Sequence, residues 1–229
     1  MNEFAYIDEN LARIRAAAEA AAAASPYGQS YDILLATKYA TAEEINYAHS
    51  LGIRMIGENR VQSLLEKYDK LDKDLEIHFI GTLQKNKVKY IIDKVSMIES
   101  LDSLSLAEEI EKQAAKRGIV MDCLIEVNIG DEEAKSGIAK ADVPAFADAL
   151  DAFPHIRLVG LMTMAPKCTE IDEYRKYFRE SYHIFIDICE KKLHNISRCT
   201  LSMGMSESFP AALQEGANLI RVGRAAFQK

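Results

Sequence analysis

Lys38 stands at the tip of an apolar run, "DILLAT" at 32–37, just before a stretch that reads as helix. Strand alternation puts Leu34, Ala36 and Lys38 on one face. If that face lines an interior, burial disfavours the ammonium form and leaves a nucleophilic amine, the group that Schiff-base chemistry with a carbonyl requires. The plainer account is a surface lysine whose stem lies along the strand end while its head stays in water.

A second group of residues lies in "SMGMSESFPAALQEGANLIRVGRAAF" at 202–227. Gly204 and Gly223 allow close approach to the backbone. Ser206 opens a helical stretch in which Pro210 falls early enough to be tolerated. Backbone N–H groups at such a strand-to-helix turn suit a phosphate. The same hydroxyl can equally be a plain helix cap, and Glu207 beside it has to point away from a bound anion. Arg221 shares an inward face with Leu219. A buried guanidinium needs an acceptor: a carboxylate, Glu126 or Asp32, or the ring nitrogen of a heteroaromatic ligand.

The elements that must position these groups follow from the hydrophobic pattern. Residues 3–24 read as a helix, with Phe4, Ile7, Leu11, Ile14 and Ala18 at three- and four-residue steps and "SPYGQS" ending the alanine run that follows. Short apolar strands then alternate with helices. The strands are 32–37, 53–57, 77–81, 96–100, 121–129, 156–163, 199–203 and 219–223. The helices are about 41–51, 59–70, 84–94, 103–117, 141–152, 170–194 and 207–216. Thr41 with Glu44, and Ser105 with Glu108, have capping-box spacing, and Gly52, Gly118 and Gly216 fall where helices stop.

Strands apolar on both faces and separated by helices imply a parallel sheet. Eight of them predict an α/β fold closed into a single (β/α)8 TIM barrel, with an extra N-terminal helix. An open doubly wound sheet would bring a glycine-rich turn after its first strand; "KYATAEE" has no glycine, and neither glycine motif for nucleotide phosphates is present. No Pro/Gly-rich linker divides the chain, so residues 1–229 are expected to form one domain. On a barrel the C-terminal strand ends form the reactive rim. That rim gathers Lys38, Glu58, Asn59, Gly81, Asn128, Thr163, Met164, Met203 to Ser206, Gly223 and Arg224.

With 28 Lys and Arg against 35 Asp and Glu, the chain has a net charge of −7. That opposes broad attraction to nucleic acid or an anionic membrane, and still permits a local basic pocket. No basic-then-apolar leader and no membrane-length apolar run is present, so a cytoplasmic protein is expected. Cys123, Cys168, Cys189 and Cys199 lack metal-ligand spacing and read as reduced thiols; no metal site is expected.

Taken together, "LLATKYATAEEI", "GENRVQ", "HFIGTLQKNKVK", "GLMTM" and "MGMSESFPAALQEGANLIRVG" resemble the pyridoxal-phosphate (PLP) homeostasis family, also called the YggS or PROSC family, over about Tyr31 to Phe227. The resemblance implies a fold-type III PLP barrel similar to the N-terminal domain of alanine racemase. It implies that Lys38 holds PLP as an internal aldimine. Met205, Ser206 and the amides of Gly223 and Arg224 would then bind the phosphate, and Arg221 would face the pyridine nitrogen. Asn59 and His78 would lie near the cofactor. The chain departs from the family pattern where Ile77 replaces a Trp, where Arg224 replaces a small hydroxyl residue, and in its ending "AAFQK". Arg224 either grips the phosphate as a bidentate partner or points to solvent and leaves only its amide.

An arginine at the pyridine nitrogen does not readily give up a proton, which makes the ring a weak electron sink. The racemases that resemble this barrel take a second acid/base, a tyrosine, from an added β-domain, and none is expected here. The expectation is a PLP carrier acting in PLP homeostasis without robust catalysis. It would be monomeric, with PLP-dependent apoenzymes as candidate recipients. Two enzyme readings stand beside it: a weak amino-acid racemase with Lys38 as base, and a cofactor-free Schiff-base aldolase acting on a sugar phosphate.

Overall fold

The computed structural model describes residues 3–132, 136–192 and 199–229. Helix α1 (Ala5–Ala23) comes first, then β1 (Asp32–Ala36), α2 (Ala42–Ser50), β2 (Met55–Glu58), α3 (Val61–Lys67), β3 (Glu76–Phe79), α4 (Val88–Ile91) and β4 (Met97–Leu101). The chain continues through α5 (Leu104–Arg117), β5 (Met121–Asn128), β6 (Ile138–Ala139), α6 (Val143–Ala149), β7 (Ile156–Thr163), α7 (Ile171–Lys192), β8 (Thr200–Ser202), α8 (Phe209–Gln214), β9 (Leu219–Val222) and α9 (Arg224–Phe227).

The strands run in the order β4-β3-β2-β1-β9-β8-β7-β5, and a β4–β5 pairing closes this row into a parallel barrel. β6 lies outside the ring, with Ile138 beside Val127 of β5. Alternation sorts the strand residues into two layers. Leu35, Ile56, Phe79, Ile98, Ile125, Leu161, Leu201 and Ile220 face the helices in the main core. Leu124, Val159 and Met162 pack together inside the ring.

Val159 and Met162 are three apart, so regular alternation would put them on opposite faces. A bulge reconciles them: Cys123 pairs with Leu158 but Leu124 with Gly160, leaving Val159 as the extra residue. Gly160 has φ +151°, and a Cβ there would collide with the Thr200 carbonyl of β8.

Local signals explain some element ends. The Thr41–Glu44 capping box forms, with Glu44 N donating to Thr41 Oγ1 (3.2 Å) and Thr41 N to Glu44 Oε2 (2.8 Å). The Ser105–Glu108 pair does not cap α5: that helix starts from Ser103, and Ser105 already lies in its first turn. Gly118 takes the left-handed conformation at the α5 C-cap.

The helix expected at 59–70 begins at Val61, because Arg60 keeps extended backbone, and ends in a 3-10 turn at 68–70. The one expected at 84–94 contracts to a 3-10 turn at 85–87 plus α4. Of the helix expected at 170–194, residues 193–194 lie outside the described residues. β6 and α9 are too short to carry a readable period.

Helix α1 buries Ile7, Leu11, Ile14 and Ala18. It also reaches the far end of the chain, where the Asn10 amide donates to Ala226 O (3.2 Å) and Gln228 O (2.9 Å). Among the described residues no helix is long and apolar enough to cross a membrane.

Candidate functional site

The C-terminal strand ends open into a cavity of about 800 Å³. Lys38, Asn59, Met205, Ser206, Arg221, Gly223 and Arg224 all line it, together with Glu126 of β5 and Met162 of β7. Seven of the expected residues, from four separate strand ends, thus meet at one cavity.

Lys38 falls two residues beyond β1, in a turn from Thr37 to Ala40 closed by Ala40 N donating to Thr37 O (3.2 Å). It is exposed. The desolvation expected of it is absent, because the turn lifts it off the strand face and onto the rim. Its Nζ lies 4.9 Å from the centroid of the Tyr39 ring. A hydrogen bond from Lys38 and its charge, with Arg60 and Arg224 behind them, hold the Tyr39 phenol below its ordinary range. The rim is thus locally basic on an acidic chain.

Beside Lys38, the Ser206 hydroxyl oxygen accepts from the amides of Gly223 and Ala225, both at 3.3 Å. Two backbone N–H groups and a hydroxyl so converge on one point, the make-up of an anion cradle. Ser206 is not the cap of the following helix, which starts at Phe209. The cradle is tight: a Cβ on Gly223 would stand 2.9 Å from Ala36 O. Arg224 does not grip the cradle. It is exposed, and its Nη2 lies 3.3 Å from Glu207 Oε1. The same pair turns Glu207 away from the anion site.

Arg221 is buried on the cavity floor. Its Nη1 donates to Ser202 Oγ (2.7 Å) and its Nη2 to Thr163 O (2.9 Å). Ser202 Oγ in turn donates to Glu99 Oε2 (2.6 Å), and Glu99 Oε1 lies 2.7 Å from His78 Nδ1. Burial works to raise the Glu99 carboxyl, but His78, Arg221 and Ser202 outweigh it and hold the group below its usual range. Burial also pushes the Arg221 guanidinium down, against the pull of Glu99 and Glu126. On the opposite wall burial pushes the Glu126 carboxyl up, and Ser136 Oγ donates to it (2.7 Å).

Several expected rim residues lie elsewhere. His78 does not line the cavity: it sits two positions before Ile80, one layer deeper, paired with Glu99. Glu58 faces outward from β2 toward α3, where Lys67 Nζ lies 2.5 Å away. Asn128 shapes its own loop through Glu132, donating to its carbonyl (3.0 Å) and accepting from its amide (3.2 Å). Thr163 turns its hydroxyl to Ser181 of α7 (3.1 Å) and offers the site only its carbonyl. Glu99, Ser202 and Lys67 went unrecognised, since each is an ordinary residue until the ring brings its partner near. Among the described residues no cluster of His, Cys, Asp and Glu is arranged to hold a metal.

Known proteins are similar to this chain in sequence and fold. Residues 5–228 match the family described as alanine racemase, N-terminal domain. The pyridoxal phosphate homeostasis protein of Aquifex aeolicus is 40% identical over 228 residues, 99% of this chain and 98% of the relative. PipY of Synechococcus elongatus, solved with PLP bound, has a TM-score of 0.83 at 30% identity, covering 96% of this chain and 99% of its own. An alanine racemase from Clostridium difficile gives 0.72 at 16% identity, covering 96% of this chain and 56% of the racemase. At that identity the likeness concerns the fold alone.

Proposed function

The chain belongs to the pyridoxal phosphate homeostasis protein family, and on that premise we propose that it binds PLP in the rim cavity, with Lys38 holding the aldehyde as an internal aldimine. The observation that carries this reading is the adjacency of two unlike receptors. β1 and β9 are neighbours, Leu35 beside Val222, so the Lys38 turn and the Ser206–Gly223 cradle stand side by side. In PLP the aldehyde and the phosphate arm leave adjacent ring carbons. An amine next to an anion cradle matches that pattern.

Arg221 retains N–H donors beyond those given to Ser202 and Thr163, which suits it to the ring nitrogen from below. Asn59 and Met205 border the same cavity, and the Arg224 amide, with its side chain turned to Glu207, adds one more N–H beside the phosphate. His78 acts from the layer beneath, through Glu99.

When bound, PLP would supply an electron sink for amine chemistry, with Lys38 offering the amine that holds its aldehyde. Because Lys38 is exposed to water, that attachment would suit reversible loading. We read the function as PLP carriage in homeostasis without robust turnover, with PLP-dependent apoenzymes as recipients and residues 1–229 as one domain. The relatives' name, that of a homeostasis protein and not of an enzyme, supports this.

The test is borohydride reduction of the PLP-loaded protein followed by peptide mass analysis. A PLP-sized increment on the Lys38 peptide is expected, with loss of the yellow colour in Lys38→Ala. A yellow Lys38→Ala protein with a band of normal intensity would overturn the lysine assignment. In the same preparation alanine is expected to gain no deuterium at its α-carbon, which would sink the racemase reading; sustained exchange would count against a protein without turnover.

A further inference from the structure

We propose that Lys67 is a positioning residue for Lys38, clamping the turn that carries it from outside the barrel. The inference rests on the reading of Lys38 given above. Lys67 ends α3, and only 13% of its side chain is exposed. An ammonium has three N–H donors, and here each finds an acceptor: Thr37 O at 2.9 Å, Ala40 O at 3.3 Å and Glu58 Oε1 at 2.5 Å. Thr37 and Ala40 are the first and last residues of the turn whose middle is Lys38 and Tyr39. The two carbonyls that bracket Lys38 are thus tied to a single charged group.

Glu58 completes the clamp. It is fully buried, and its Oε1 also accepts from Thr37 Oγ1 at 2.5 Å. Both members of the ion pair therefore hold the same four-residue turn. A buried pair is a costly way to fill space between a strand and a helix, and apolar residues would pack there at less expense. What the pair adds is direction: two strands' ends and one helix converge on the backbone beneath Lys38. The Lys38 side chain itself is exposed and rests on the Tyr39 ring. Its reach to an aldehyde seated in the neighbouring cradle is therefore set by the turn.

The experiment follows release of PLP from the loaded protein. The yellow band is monitored while a phosphatase destroys free PLP, and the thermal midpoint is measured alongside. Lys67→Met is expected to release PLP at least about tenfold faster, as for a lost charged hydrogen bond. Ile110→Ala, fully buried on α5 and outside both α3 and the turn, is expected to lower the midpoint while changing release by less than about twofold.

The double variant Glu58→Met with Lys67→Met separates clamp from charge burial. It removes both buried charges, so its midpoint is expected to recover while release stays fast. Wild-type release in Lys67→Met, or release that recovers in step with the midpoint in the double variant, overturns the clamp. Should Lys38→Ala keep a normal yellow band, the lysine assignment falls and the clamp with it. Should Lys38→Ala lose the band while Lys67→Met releases normally, only the clamp falls.

Discussion

Glu99 lies fully buried beneath the cavity and touches opposite arcs of the barrel, His78 of β3 and Ser202 of β8. Its carboxyl is held below the usual range in the fold. The fold therefore gains from the ionised form at any pH above the unfolded value of about 4.3, and loses that gain as pH falls through the lower folded value. The thermal midpoint of the wild-type protein is expected to fall more steeply between about pH 5 and 3 than that of Glu99→Gln. Near neutrality the Gln variant is expected to be less stable by about 3 kcal/mol, because the buried Arg221 loses a counter-charge and His78 Nδ1 loses its carboxylate partner. Parallel acid limbs would remove Glu99 from this account. Lys38, Ser206, Arg221 and Gly223 were legible in the sequence because each is odd by itself: a cation on an apolar strand, a hydroxyl or a glycine at a strand-to-helix turn. Glu99 and Ser202 were not, being partners across 103 positions that only the closed ring brings together. The exposure of Lys38 was also hidden, since alternation governs the strand and stops where the turn begins.

At the level of elements, caps and bulges decide where side chains point. Thr41→Ala is expected to cost about 1 kcal/mol in urea unfolding, because it removes a formed N-cap. Ser105→Ala, which shares the sequence signature but sits inside α5, is expected to change stability by less than about 0.5 kcal/mol. The reverse order would mean that Ser105 is the cap and α5 starts two residues later than Leu104. The eight barrel strands were legible from apolar runs separated by helices, and the helix ends at Gly52, Gly118 and Gly216 from the need for a positive φ. The β7 bulge was not. One extra residue shifts every later side chain to the other face, and nothing in "LVGLM" but the glycine hints at it. Glu58 was misplaced for a related reason: in "GEN" the rim residue is Asn59, and its neighbour on a strand must face the other way.

For the molecule as a whole, closure of the ring leaves no open β-edge within the barrel to recruit another chain. Of the large exposed apolar side chains, Tyr39, Met164 and Met205 border the rim cavity, while Tyr90, Val120 and Ile171 lie outside it. A single chain is accordingly expected in solution, sedimenting at the mass of 229 residues with and without PLP; a concentration-dependent rise to twice that mass would contradict it. Fold class was fully legible because it depends on the count and alternation of elements, whereas which pairs of side chains meet depends on closure. The Asn10 amide, bound to the carbonyls of Ala226 and Gln228, brings the two extremes of the polypeptide within reach of each other, and Lys229 Nζ lies 5.5 Å from the Tyr6 ring. The backbone is nearly a circle with one link missing. A short linker across that gap, with a new opening at the helix-to-strand turn around Gly118, would yield a circular permutant whose rim cavity is untouched.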